Sequence, residues 1–198
     1  MENQKSNESK EPLLVLVTDA HGYVKTFDKI KEIIERYKPV FVLSEDMENH
    51  KVESDFEFNQ FIKKNKVSNM TPVSTVKELV KLCHKNKIKL IGIDFENFLM
   101  DRKMQTKIKR NMDFTEEEDK EYWSLVHRRE NKHVKMIGKF LDISRKPVVV
   151  IVGAWHLRKG SLIRKSFGHY HLVYMADSKG GMVLGPTKER LRWGEEEL

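Results

Sequence analysis

One stretch of the sequence reads Pro147-Val148-Val149-Val150-Ile151-Val152-Gly153-Ala154-Trp155-His156. A β-branched apolar run between a proline and a glycine predicts a strand that is buried on both faces, as in the centre of a parallel sheet. Gly153 permits a sharp turn at the end of that strand, and a helix is expected over 157–167. Because open α/β sheets bind ligands beside the carboxyl ends of their strands, His156 is delivered to the edge where such folds do chemistry.

The same design recurs elsewhere in the chain. Three other apolar runs are typical of buried strands, at 13–17, 40–43 and 89–93. They are followed closely by His21, Glu45 and Asp94, respectively. Helical periodicity between the runs predicts β-α-β units, whose crossovers are right-handed and whose strands pair in parallel. We therefore expect these three side chains to share one edge of the sheet with the histidine that follows the valine-rich strand.

The expected fold class is α/β, with a mainly parallel sheet, helices on both of its faces and a site at the carboxyl ends of the strands. A length of 198 residues is ordinary for one domain. We predict a disordered tail at 1–11, a single α/β domain at 12–186 and a charged tail at 187–198. Within the domain, 98–143 is expected to supply a helical insertion or lid and a long helix capped by Thr115.

Composition excludes several classes of protein. The chain has no apolar run of membrane-spanning length and no apolar signal-peptide core near its start, so a cytoplasmic protein is expected. The single cysteine, Cys83, rules out an internal disulfide and a cysteine-based metal site, and it lies on the apolar side of a helical pattern. The net charge of +7 raises nucleic acid as a partner, but the basic segment 102–110 is followed at once by acidic residues at 116–119. Nucleic-acid binding is therefore the least favoured function.

The expected strand-end cluster has a recognisable chemistry. His21, Glu45 and His156 suit a divalent ion such as Zn²⁺, Mn²⁺ or Co²⁺ with an open position for water, and such an ion lowers the pKa of that water. Without a metal, Glu45 could orient one imidazole while the other acts as general base on water. The sequence does not choose between these schemes. Arg129 in the long helix could hold a carboxylate, a phosphate or a developing oxyanion.

These residues resemble a broad superfamily that includes TraB/PrgY, the Tiki proteases, erythromycin esterase and ChaN-like haem-binding proteins. The resemblance covers about 13–174, and its markers are Thr18-x-x-His21, Glu45, Arg129 in the long helix and Gly153-x-x-His156. Thr18 replaces the glycine of the first Gly-x-x-His element. Glu130 and His133 depart from the helix motif of the family, so only Arg129 carries over there.

The resemblance implies a pocket at the strand ends, with His21, Glu45 and His156 as its site and Arg129 in support. Asp94 is not part of the resemblance and is included only because the predicted parallel topology brings it to the same edge of the sheet. Members of the superfamily differ in function, from metal-dependent proteolysis and ester hydrolysis to haem binding and control of signalling peptides. The function expected here is hydrolysis of an ester or peptide bond in a small molecule or peptide.

An alternative is a non-catalytic module that binds a small ligand, haem or a peptide on the same fold. For haem, an apolar platform could come from Phe95, Phe98, Met100 and Met104. The chain is short for the superfamily, so a homodimer in which a second copy completes the pocket is also a hypothesis.

Overall fold

The computed structural model describes residues 14–19, 24–64, 73–110, 112–174, 181–184, 189–192 and 194–197. The predicted tail at 1–11 and His21 lie outside these ranges. The strands are β1 (Leu14–Asp19), β2 (Phe41–Ser44), β3 (Lys51–Val52), β4 (Lys89–Gly92), β5 (Val148–Gly153), β6 (His171–Tyr174), β7 (Gly181–Leu184), β8 (Glu189–Arg192) and β9 (Gly194–Glu197). The helices are α1 (Val24–Tyr37), α2 (Asp55–Lys63), α3 (Val73–Lys85), α4 (Arg102–Lys109), α5 (Glu116–Ile143) and α6 (Leu162–Ser166).

The main sheet confirms the predicted α/β class. Its seven strands have the order β3-β4-β2-β5-β1-β6-β9, and the five from β4 to β6 are parallel to their neighbours. The edge strands β3 and β9 are antiparallel, and β7 and β8 form a separate two-stranded sheet. The valine-rich strand β5 lies between β1 and β2, and all six of its residues are buried. This position explains its uninterrupted apolar sequence.

Side chains point alternately to the two faces of the sheet along each strand, and this divides the hydrophobic core into two layers. On one face, Val15 and Val17 of β1 pack with apolar residues of α1, α2 and α3. On the opposite face, Leu14 and Leu16 pack in a second cluster with α5 and α6. Because successive strand residues point to opposite faces, one apolar run supports both helical layers. The long helix α5 is therefore held against the sheet on the face opposite to α1.

Two segments differ from their predicted structure. The helix expected over 157–167 is a 3₁₀ turn, Ala154–Leu157, followed by the five-residue α6. Gly160 has φ +83 in the link between the two elements, and Ser161 then caps α6 by accepting a hydrogen bond from the backbone N–H of Arg164. The expected charged tail at 187–198 contributes β8 and β9, and β9 pairs with β6 at the open edge of the sheet. A charged sequence is compatible with an edge strand, where it discourages further pairing.

Local signals set the ends of α5. Thr115 and Glu118 form a capping box, since the threonine side chain accepts from the Glu118 backbone N–H and the glutamate accepts from the Thr115 N–H. The predicted cap is confirmed. Within the described ranges, every helix is either too short or too polar to span a lipid bilayer.

Gly92, at the end of β4, holds the turn after β2 close to the sheet. Its N–H donates to the His50 carbonyl at 2.7 Å. A Cβ at this position would lie 2.3 Å from the carbonyl oxygen of Glu48 and 2.7 Å from that of Met47. Backbone atoms cannot move aside as a flexible side chain can, so only glycine permits this approach.

Gly92→Ala should therefore lower the free energy of unfolding by about 1–3 kcal/mol, the usual cost of overpacking. Gly138→Ala is the matched control, because its new Cβ on α5 would meet nothing within 4 Å. In a helix interior this control should stabilise by about 0.5–1 kcal/mol. Urea unfolding of both variants measures the difference, and equal effects of the two substitutions would contradict the packing described here.

Cys83 provides a second check of the core. Its side chain is fully buried on α3, and burial raises the pKa of the thiol to about 12. The thiolate is the reactive form, so at about pH 8 the native protein should react with a thiol reagent only as fast as it unfolds. The same protein in denaturant should react at once. A fast reaction of the native protein would show that α3 is not packed as described.

Candidate functional site

Three of the predicted residues lie together at the carboxyl ends of parallel strands. Glu45 begins the 3₁₀ turn after β2, Asp94 follows β4 by two residues, and His156 lies in the 3₁₀ turn after β5. Each of these residues is at most 2% exposed. His21 lies outside the described residues, and its place at this edge stays a prediction. The register pairs Asp19 with Gly153, so β1 ends beside the turn that carries His156.

Arg129 joins two of the strand ends through its guanidinium group. Nε and Nη2 donate to Oδ2 of Asp94 at 2.8 and 2.6 Å, and Nη2 also lies 3.5 Å from Oε2 of Glu45. The sequence predicted that this arginine could hold a carboxylate, and the carboxylates it holds are the protein's own. Burial alone would raise the pKa of Asp94, but His133 and Arg129 together hold that pKa below its ordinary range.

Two neighbours of Arg129 on α5 extend the network to the histidines. His133 is fully buried, and its Nε2 lies 3.0 Å from Oδ2 of Asp94. Glu130 is fully buried, accepts a hydrogen bond from Arg158, and accepts another from the Leu162 N–H at 3.0 Å. Helix α5 therefore presents a cation, an anion and an imidazole to the strand ends within one turn.

Glu130 also faces His156. Its Oε1 lies 3.5 Å from Nδ1 of the imidazole. Burial would raise the pKa of Glu130, but its contacts with His156, Arg158 and the Leu162 N–H lower the pKa to about 2. The pKa of His156 is lowered, mainly by burial and then by the charge of Arg129. The glutamate is therefore ionised near neutral pH while the neutral imidazole, which is the form that binds metals, is favoured.

Glu45, His133 and His156 form a group that could hold a metal ion. One donor atom from each lies within 4.8 Å of the others, and all three residues are buried. Nε2 of His156 lies 3.6 Å from Oε2 of Glu45, and the two imidazole rings meet edge to face at 4.8 Å between centroids. Nδ1 of His133 is buried and has no hydrogen-bond partner among the described residues. Two nitrogens and one carboxylate oxygen are a donor set that divalent transition metals accept.

Charged groups of both signs surround the three donors. The described residues place three carboxylates at this site, those of Glu45, Asp94 and Glu130, against the guanidinium groups of Arg129 and Arg158. The Lys132 ammonium donates to the Asp94 carbonyl and brings a third positive charge to this group. Buried charge is costly, and each of the three carboxylates has a cationic partner within the protein.

Glu130 and His133 are functional candidates that the motif-based interpretation excluded. His133 belongs to the predicted inner stripe of α5, but as a core residue rather than as a donor. A usable signal was present in the spacing Glu130-x-x-His133, because residues three apart on a helix share a face and this pair recurs in helical metal sites. A carboxylate and an imidazole on the face that packs against the sheet indicate a polar site rather than an apolar core.

A left-handed turn covers the arginine. Asn97, Phe98 and Leu99 have φ of 50, 55 and 61°, a conformation that costs non-glycine residues about 1–2 kcal/mol each. The turn places the Phe98 ring over the Arg129 guanidinium at 4.5 Å, and the Asn97 N–H donates to Oε1 of Glu48 at 2.9 Å. The strained turn thus shields the ion pairs from one side.

The four residues of the expected haem platform are not equally buried, and Phe95 is half-buried beneath the Lys132 ammonium. Phe98, Met100 and Met104 are at most 8% exposed and pack with Leu125 of α5 in a small core of their own. Their packing attaches the predicted helical insertion to α5. These side chains therefore stabilise the segment that covers the site.

Comparisons of the chain with protein-family models, with curated proteins and with solved structures give no match.

Because only one of two adjacent arginines on α5 forms the buried ion pairs, substitutions of the two should have very different effects on stability. Arg129→Met leaves Asp94 and Glu45 buried beside each other without their cation, which should lower the free energy of unfolding by about 3–5 kcal/mol. Arg128→Met on the exposed face of α5 is the control and should change stability by no more than about 0.5 kcal/mol. Urea unfolding compares the two variants. Similar small losses in both would contradict the ion-pair network.

Proposed function

We propose that the protein is a metal-dependent hydrolase, with Glu45, His133 and His156 as the donors to a divalent ion such as Zn²⁺, Mn²⁺ or Co²⁺. The observation that carries the proposal is the convergence of these three donors at the carboxyl ends of the parallel strands. A site with three protein donors leaves a position for water, which is the arrangement of catalytic zinc centres. The resemblance to the Tiki and erythromycin-esterase group supports hydrolysis of an ester or peptide bond.

In this proposal a divalent ion supplies a Lewis acid that makes water acidic enough to act as a nucleophile near neutral pH. His156 and His133 bind through neutral imidazole nitrogens, and Glu45 contributes its carboxylate. Arg129 keeps Glu45 and Asp94 in place rather than meeting the substrate, because its guanidinium is already bound to both carboxylates. His21, whose place at this edge is predicted from the sequence alone, is the candidate for accepting a proton from water.

A non-catalytic ligand- or metal-binding module is the second candidate. The observation in its favour is the near-complete burial of the donors among the described residues, since Glu45 and His156 are each 2% exposed and His133 is fully buried. A closed metal site stabilises a fold without turning over a substrate. Binding without turnover is the outcome that separates this candidate from the hydrolase.

The proposal is tested by elemental analysis of the purified protein, paired with a screen of ester, peptide and phosphoester substrates. We expect about one divalent ion per chain, and hydrolysis that falls by roughly 100-fold or more in His156→Ala and His133→Ala, the loss typical of removing water activation. A chelator should abolish the activity, and the metal should restore it.

His127→Ala is the matched control, because His127 is an exposed histidine on the same helix. It should keep both metal and activity. Metal binding without hydrolysis of any substrate class would favour the binding module. Full activity in both His133→Ala and His156→Ala would overturn the proposed site.

A further inference from the structure

We propose that Asp94 and Glu130 are positioning residues that decide which ring nitrogen each histidine turns to the metal: Nδ1 for His133 and Nε2 for His156. The inference rests on the proposed metal site and extends it to residues that bind no metal themselves. A histidine has two chemically different nitrogens, and a hydrogen bond at one leaves the other as the donor. Carboxylates in this role orient the imidazole and raise its affinity for the ion.

For His133, the surroundings of the two ring nitrogens indicate which nitrogen would bind the metal. Nε2 lies 3.0 Å from Oδ2 of Asp94, so this nitrogen carries the proton that the carboxylate accepts. Nδ1 has no hydrogen-bond partner in the described part of the chain, although the ring is fully buried. Nδ1 is therefore the nitrogen available for the metal.

For His156 the assignment is the opposite. Nδ1 lies 3.5 Å from Oε1 of Glu130, beyond a good hydrogen bond, and finds no other partner among the described residues. Nε2 lies 3.6 Å from Oε2 of Glu45, on the side of the donor group. A proton on Nδ1 directed at Glu130 leaves Nε2 as the lone-pair donor beside Glu45.

Both carboxylates are fixed by contacts that do not involve a metal. Oδ1 of Asp94 accepts from the Phe95 N–H at 2.7 Å, and Oδ2 accepts twice from Arg129. Glu130 is held by Arg158 and by the Leu162 N–H, so it links α5 to α6. Each carboxylate is thus held in place before any ion arrives. The two histidines can be pre-oriented in the metal-free protein.

The direct test is long-range ¹H–¹⁵N NMR of protein labelled with ¹⁵N-histidine, recorded without metal and with Zn²⁺. Replacing each histidine by glutamine in turn assigns the signals. Without metal, His133 should be protonated at Nε2 and His156 at Nδ1. On addition of Zn²⁺, the nitrogen shifts of His133 Nδ1 and His156 Nε2 should change most.

Substitution of the carboxylates adds a selective readout. Glu130→Gln should disturb the protonated Nδ1 of His156 and leave His133 unchanged, while Asp94→Asn should do the reverse. Each should weaken Zn²⁺ binding by about 10- to 100-fold. Glu130→Asp, which retains the charge, should recover part of the affinity. A purely structural role would instead disturb both histidines together.

The outcomes separate this inference from the proposed function. Zn²⁺ binding through the opposite nitrogens, or unchanged affinity in both carboxylate variants, overturns the inference and leaves the metal site standing. The opposite tautomers in the metal-free protein overturn it as well. Absence of any Zn²⁺-dependent shift at either histidine overturns the inference and the metal site together.

Discussion

The Arg129 guanidinium group, buried between the carboxylates of Asp94 and Glu45, is the interaction on which the site depends. Three ionised groups removed from water are tolerable only when each has its partner at hydrogen-bonding distance. The requirement joins the ends of β2 and β4 to the middle of α5. Glu130 and His133, three residues apart on α5, share the helix face that meets the same strand ends.

The network explains how a donor group can exist inside a core. Glu45 and His156 stand on short turns that follow strands, whereas His133 stands on a helix that packs across them. Side chains on such elements are held more precisely than side chains on long loops, and surrounding carboxylates fix the rings. The positive charges of Arg129 and Arg158 offset the acids. We propose a divalent ion as the partner of these buried donors.

Much of the arrangement follows from local sequence. The β-branched run of β5 predicts a central strand because only apolar residues are stable with helices on both faces, and strand ends of parallel units must share an edge. That reasoning places Glu45, Asp94 and His156 together. The role of His133 could not be predicted from the sequence in the same way. Helical periodicity identifies the buried face of α5, but it does not show which residues pack against that face. The edge position of β9 depends on pairing between distant segments, which a charged sequence does not signal.

Anomalous diffraction from crystals grown with Zn²⁺, collected above the zinc absorption edge, tests the central claim most directly. We expect a single strong anomalous peak enclosed by Glu45, His133 and His156, with Nδ1 of His133 and Nε2 of His156 at about 2.0–2.1 Å from it. The absence of a peak there, with zinc bound elsewhere or not at all, would contradict the account.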